Sequence, residues 1–235
     1  MTASPPRRSR CPRCLRPDAT CLCPAVRSVA SQVQVLILMH PQEEHQAKGT
    51  ARLLHLCLPG SRLLVGEAFA PCALAQALME PWNDADRQAP RRTMLLYPAT
   101  AQDAPCAAPP PLPPGWLASP ERLRLVVLDG SWRKSRKMLW TNPALQALPR
   151  LALQAVAASR YAIRKAHAPH QLSTLEATQQ ALQQLEPGNA VIARLADAMD
   201  GFMAQQQAYL PAMLGASCHE PQGDPAWPSA TPFPT

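Results

Sequence analysis

No apolar run in this chain is long enough to cross a bilayer. The longest purely aliphatic stretch, Val35-Leu36-Ile37-Leu38-Met39, falls far short of the roughly 20 residues that a spanning helix needs. The arginine-bearing N-terminus has no apolar segment behind it and so does not read as a signal peptide. A P-loop and a G-x-G-x-x-G fingerprint are both missing, which removes the usual phosphate cradle from nucleoside-triphosphate and dinucleotide readings. There is no internal repeat either. The expectation is a cytoplasmic protein without a membrane partner, its eight cysteines serving as thiols or metal ligands rather than disulfides.

Acidic residues are scarce where basic ones gather. Between Glu121 and His170 there are ten Lys and Arg, opposed only by Glu121 and Asp129. The first thirty residues carry Arg7, Arg8, Arg10, Arg13, Arg16 and Arg27 against Asp18 alone. The net charge is +7 and the isoelectric point about 9.2. Such a balance favours a polyanionic partner, nucleic acid above all, and says nothing about fold. One charge run is as easily a solvated face. Two runs flanking one candidate site favour an RNA surface.

What is present suits one sizeable α/β domain with small appendages. The 235 residues are 47% apolar and 17% charged, enough for a packed core. Residues 32–40, 62–69, 93–97 and 123–128 read as strands, and residues 50–58, 132–140, 173 onward and 190–210 as helices. Strands separated by helices predict a mostly parallel sheet with helices on both faces. Ser173-Thr174-Leu175-Glu176 has the form of a capping box. The proline- and alanine-rich residues 105–120 read as a loop. Expected boundaries are a disordered 1–10, a cysteine segment 11–30, a catalytic domain 31–212 and a disordered tail 213–235.

Two clusters carry chemistry. Cys11, Cys14, Cys21 and Cys23 form C-P-R-C-(x6)-C-L-C. Four thiolates in one short loop suit a tetrahedral zinc ion, and a fully thiolate set leaves no open position, so the site is expected to be structural. The second cluster is LVVLDGSWRKSRKML. Asp129 ends a buried strand, where ligands of parallel sheets bind and where partial desolvation suits a general base. Gly130 permits close backbone approach, and Ser131 is placed to cap the next helix. Arg133, Arg136 and Lys137 share one face of that helix, with Lys134 beside them, and could meet phosphates. Asp-Gly is also a common turn pair, and Trp132 could be plain core.

LDGSWRKSRKM resembles the signature of the DTW-domain proteins, an Asp-x-Thr-Trp motif. The cysteine spacing, HPQE with TARLLHLCLP, LLYP, NPALQALPRL, SRYAIRK and LSTLEA recur in that family in the same order, so the resemblance covers roughly Cys11 to Leu210. This chain has Ser131 where the motif has threonine; the hydroxyl is kept and a methyl is lost. The resemblance implies a tRNA-uridine aminocarboxypropyltransferase that uses S-adenosylmethionine to form 3-(3-amino-3-carboxypropyl)uridine in tRNA. It also implies a SPOUT-like fold with a C-terminal trefoil knot.

On that resemblance, the cofactor positions are Leu96, Tyr97 and Pro98, then Gly130, Ser131 and Trp132, then Leu172, Ser173 and Thr174. Glu176 is read equally as cap or as cofactor contact. Asp129 is the candidate base toward uridine N3. Arg160, Tyr161, Arg164 and Lys165 could grip RNA or the cofactor carboxylate, Tyr161 could stack a base, and His40 and Glu43 could line the pocket. Alternatives are a SPOUT-type RNA methyltransferase and a non-enzymatic, zinc-stabilised RNA-binding module. The oligomeric state is left open.

Overall fold

The computed structural model describes residues 9–98, 108–154, 159, 161 and 172–215, with side chains through residue 208. Five strands form one sheet: β1 (Gln34–Met39), β2 (Ser61–Val65), β3 (Arg92–Leu96), β4 (Leu123–Asp129) and β5 (Arg150–Leu151). Their order is β2-β1-β4-β3-β5, and every pairing is parallel. β1 is buried along its whole length. A central strand of a sheet covered on both sides must be apolar throughout, and QVLILM meets that demand from its second residue.

Alternation along the strands sorts the core into two layers. Val35, Ile37, Leu125 and Val127 face α1 (Ala51–Cys57), α6 (Thr174–Leu185) and α7 (Arg194–Gly215). Leu36, Leu38, Leu95 and Val126 face α2 (Pro71–Met79), α4 (Trp132–Thr141) and α5 (Pro143–Gln146). A short α3 (Asp84–Gln88), capped by Asn83, follows α2. The expected parallel sheet with helices on both faces is therefore present. Cys14, Leu22, Ala25 and Val29 of the cysteine segment join the first layer. Among the described residues, no helix is long and apolar enough to cross a membrane.

Several expected elements shift. The second strand stops at Val65 instead of Phe69. The chain turns at Gly66, whose N–H bonds Met39 O at 2.9 Å. A Cβ there would stand 2.7 Å from the Phe69 ring, so only glycine lets that ring fold back. The last expected helix is a 3-10 turn, Ala190–Ala193, running into α7. Helices α2, α3 and α5 and the two-residue β5 were not anticipated. Each is short, and α2 and α5 begin on a proline. The disorder expected at the termini falls mostly outside the described residues; Arg10 is described and bridges Pro17.

The amino end of the sheet holds a buried charge network. Arg124, counted above with the basic surface block, is only 1% exposed. Its guanidinium donates to Gln34 Oε1 and to the carbonyls of Ala77, Leu78 and Glu80 at 2.7–3.1 Å. It thereby closes the C-terminal carbonyls of α2, where a cation is favoured. It lies 4.2 Å from the Trp82 ring centre and 3.6 Å from Asp86, which also pairs with Arg91 at 2.8 Å. Burial pulls Arg124 down to about 10, still charged at neutral pH. Arg16 is buried as well and donates to the carbonyls of Ala47 and Gly49. Neither arginine belongs to an RNA surface.

Candidate active site and metal centre

The carboxyl ends of the strands converge on one site. Asp129 is the last residue of β4, in register with Met39 of β1, and its carbonyl accepts from His40 N at 2.9 Å. Its carboxylate is nearly buried and accepts a 2.6 Å hydrogen bond from the Thr174 hydroxyl at the start of α6. Helix α6 starts there because Ser173 and Glu176 form the expected capping box. Glu176 N donates to Ser173 Oγ at 3.2 Å and Ser173 N to Glu176 Oε2 at 2.8 Å. Ser131 likewise caps α4, accepting from Lys134 N at 3.4 Å.

Beside Asp129 lies a cavity of about 280 Å³. Leu96, Tyr97 and Pro98 line it from the end of β3. Gly130 and Trp132 line it from the end of β4, and Leu172, Ser173 and Thr174 from the start of α6. A Cβ on Gly130 would stand 3.1 Å from Lys134 Cβ, so glycine lets α4 start close to the cavity wall. Ser131 and Glu176 are not among the lining residues. Ser131 serves as a cap. The Glu176 carboxylate accepts from Ser173 N and, at 3.0 and 3.1 Å, from the Ser159 hydroxyl. Trp132 is 50% exposed, not core, and meets Tyr97 edge-on at 5.9 Å.

Two of the four basic residues of α4 are paired with acids the sequence places far away. Lys134 bonds Glu43 at 2.7 Å, and Lys137 bonds Glu67 at 2.8 Å. Glu67 also meets His40 Nε2 at 2.8 Å. Lys137 first, and His40 second, hold the Glu67 carboxyl below its usual range. His40 and Glu43 thus brace the loop after β1 against α4; neither lines the cavity. Arg133 is exposed and Arg136 half-exposed. Tyr161 is not available to stack a base. It is 4% exposed, packs against Phe202 at 6.2 Å and donates to Lys48 O at 2.9 Å. A large ring packed against α7 is retained by the core. Arg160, Arg164 and Lys165 lie outside the described residues.

The four N-terminal cysteines come together. All four sulfurs lie within 4.8 Å of one another, with Cys11–Cys23 and Cys14–Cys21 each at 3.7 Å. Sulfurs bound about 2.3 Å from one tetrahedral ion stand about 3.8 Å apart, so the cluster is shaped to hold a metal ion. Backbone N–H groups of Cys14 and then Arg13 pull the Cys11 thiol down to about 6, while burial and the neighbouring thiols push Cys23 up to about 12. Leu15 follows the first pair at φ +60°, turning the knuckle in a conformation costly for a side-chain-bearing residue.

Sequence reasoning missed part of the cavity. Leu151 lines it from the end of β5, Ala152 and Leu153 from the segment after it, Ser135 from α4 and Ala177 from α6. The Asp129–Thr174 bond spans 45 residues and has no local signal. For β5 the one available pointer was the recurrence of NPALQALPRL within the resemblance.

Comparison with known proteins adds a family. The model of the DTW domain matches residues 8–207. A Drosophila melanogaster protein named tRNA-uridine aminocarboxypropyltransferase 2 is 34% identical over 195 residues, covering 79% of this chain and 70% of its own length. The Mus musculus protein of the same name is 30% identical over 212 residues, covering 87% of this chain and 66% of its own. No solved structure matches.

Proposed function

Because this chain belongs to the DTW domain family, we propose that it transfers the 3-amino-3-carboxypropyl group of S-adenosylmethionine to N3 of a uridine in tRNA. One observation carries the reading. A nearly buried carboxylate, Asp129, is held by Thr174, and Thr174 together with Leu128 and Gly130 on either side of Asp129 lines a cavity built from three strand ends. Relatives that share the domain are named for this activity.

S-adenosylmethionine supplies the group on a sulfonium whose three attached carbons are all electrophilic. Selection among them is a matter of position. The cavity supports this. Its walls are mainly apolar side chains from β3, β4 and β5, while Ser135, Ser173 and Thr174 add hydroxyls. Asp129 takes the proton from uridine N3 as N3 bonds to the aminocarboxypropyl carbon; the bond from that carbon to sulfur breaks, its electron pair stays on sulfur and methylthioadenosine leaves. Thr174 fixes the orientation of the carboxylate. A base in this role contributes about 10²–10⁴-fold.

A SPOUT-like assignment is supported by the parallel sheet and by a cavity at its carboxyl end. The C-terminal trefoil knot implied by that assignment is part of the proposal; residues 155–158, 160 and 162–171, between β5 and α6, lie outside the described residues. The cysteine cluster is read as a structural zinc site, its four protein thiolates completing the shell. Metal analysis checks this: one zinc per chain, lost on Cys14→Ser, is expected, and a metal-free, fully folded protein would refute it.

The deciding experiment incubates the protein with unmodified tRNA and S-adenosylmethionine, followed by mass spectrometry of the nucleosides. A uridine carrying the aminocarboxypropyl group is expected. A methyl gain would instead identify a methyltransferase. RNA affinity with neither modification nor S-adenosylmethionine binding would identify a binding module.

A further inference from the structure

We infer that the outer face of α4 is a stacking track for unpaired RNA bases, starting at the cavity rim with Trp132 and ending at Trp140. This rests on the reading above that RNA is the substrate, and adds which form of RNA the surface recognises.

Trp132, Arg136 and Trp140 recur every four residues. At about 100° per residue they advance only about 40° per step around the helix and share one face. Ser135, Met138 and Leu139 are buried on the adjoining arc, with Met138 farthest from the row, so the row runs along the solvent side of the helix. Trp132 is 50% and Trp140 42% exposed. They are the only tryptophans among the exposed large hydrophobic residues described, and both sit on this helix. The Arg136 guanidinium lies 5.9 Å from the Trp140 ring centre. Trp132 lines the cavity, and Trp140 is eight residues on, roughly 12 Å along the axis. That length accommodates a few nucleotides leading out of the site.

Charge fits the same occupant. Lys134 and Lys137 are paired with Glu43 and Glu67, whereas among the described residues no acid pairs with Arg133 or Arg136. An aromatic–guanidinium–aromatic row offers faces to bases and charge to phosphates. Paired RNA keeps its base faces in its own stack, so the row selects single-stranded loops. The helix is held at both ends, which keeps the row in place. Ser131 caps its start, and the Asn142 side chain donates to Met138 O and Glu67 O and accepts from Phe69 N.

The test uses the full chain with an eight-nucleotide uridine-rich RNA, a duplex of equal length and unmodified tRNA. Trp140→Ala is expected to weaken binding of the single strand by about 5- to 150-fold, the equivalent of one lost base stack, and to leave duplex binding unchanged. Trp140→Phe recovers most of the affinity and Trp140→Leu does not, which separates stacking from mere apolarity. Arg136→Gln lowers the slope of log K against log salt by about one, and Trp140 variants do not. Thermal unfolding confirms that each variant folds. Unchanged single-strand binding by Trp140→Ala, equal losses on duplex and single strand, or full recovery by Trp140→Leu would overturn the track. Transfer by Trp140→Ala at the wild-type KM for tRNA also overturns it, leaving the proposed reaction standing. Trp140-dependent single-strand binding by a chain that transfers nothing to tRNA does the reverse.

Discussion

Strand β4 carries a buried charge at each end, and the two ends do different work. Arg124, near its start, is enclosed by a carboxylate, an amide, three helix-terminal carbonyls and an indole ring. Asp129, at its end, is held by Thr174 one residue before a cavity-lining glycine. The first charge sits inside a closed network that ties β1, β4 and α2 together. The second sits between two residues, Leu128 and Gly130, that border space a ligand can enter. Burial of a charge alone therefore does not mark a catalytic group; burial beside a cavity at the carboxyl end of a parallel strand does.

The largest expected effect separates the two ends by readout. Asp129→Asn keeps an acceptor for Thr174 and removes the base, so turnover should fall about 10²–10⁴-fold while unfolding by urea changes little. A variant with full turnover would refute the assignment. Arg124→Leu should show the opposite pattern. It leaves Gln34 Oε1 and three helix-terminal carbonyls without their buried donor, at a cost of about 1–3 kcal/mol or more, and activity per folded molecule should survive. A urea midpoint that does not move would show that the network contributes nothing.

Acid sharpens the comparison further. Burial pushes Asp86 up, but Arg91, Gln34 and the Trp82 backbone N–H outweigh it and leave its carboxyl below the ordinary 3.8. A depressed folded pKa means stability that is present above the unfolded value and lost as pH falls through the folded one. Stability should therefore decline as pH drops below about 4, and Asp86→Asn should flatten that limb of the curve while lowering stability at neutral pH. An unaltered acid limb in Asp86→Asn would remove this residue from the account.

The smallest effect belongs to the active end. Ser131→Ala removes the cap of α4 and should cost about 1 kcal/mol, read by thermal unfolding. Ser131→Thr should keep the cap. Equal stability of all three proteins would show that the hydroxyl does not secure the helix.

Much of this was legible where the cause is local. The apolar run at β1, the strand-to-helix turn at Asp129-Gly130-Ser131 and the capping box at Ser173 depend on residues within a few positions of each other, and each is found as expected. The cysteine cluster was legible for the same reason. Arg124 was misread as surface because only the approach of α2, some 45 residues earlier, supplies the carbonyls that make its burial tolerable. Tyr161 was misread because its neighbours Phe202 and Lys48 lie far along the chain. The basic face of α4 was overcounted because Glu43 and Glu67 reach it from other loops.

The sequence by itself determined the chemistry available: four thiols in one short loop, a carboxylate closing an apolar strand, a helix bearing arginines and tryptophans. Periodicity and capping act over a turn or a strand, so these features follow from local rules. Tertiary structure decided which of them meet. It alone set Thr174 against Asp129, closed β3, β4, β5 and α6 around one cavity, and drew two lysines of α4 to distant acids. Those outcomes depend on strand order and helix docking, and no spacing along the chain encodes them.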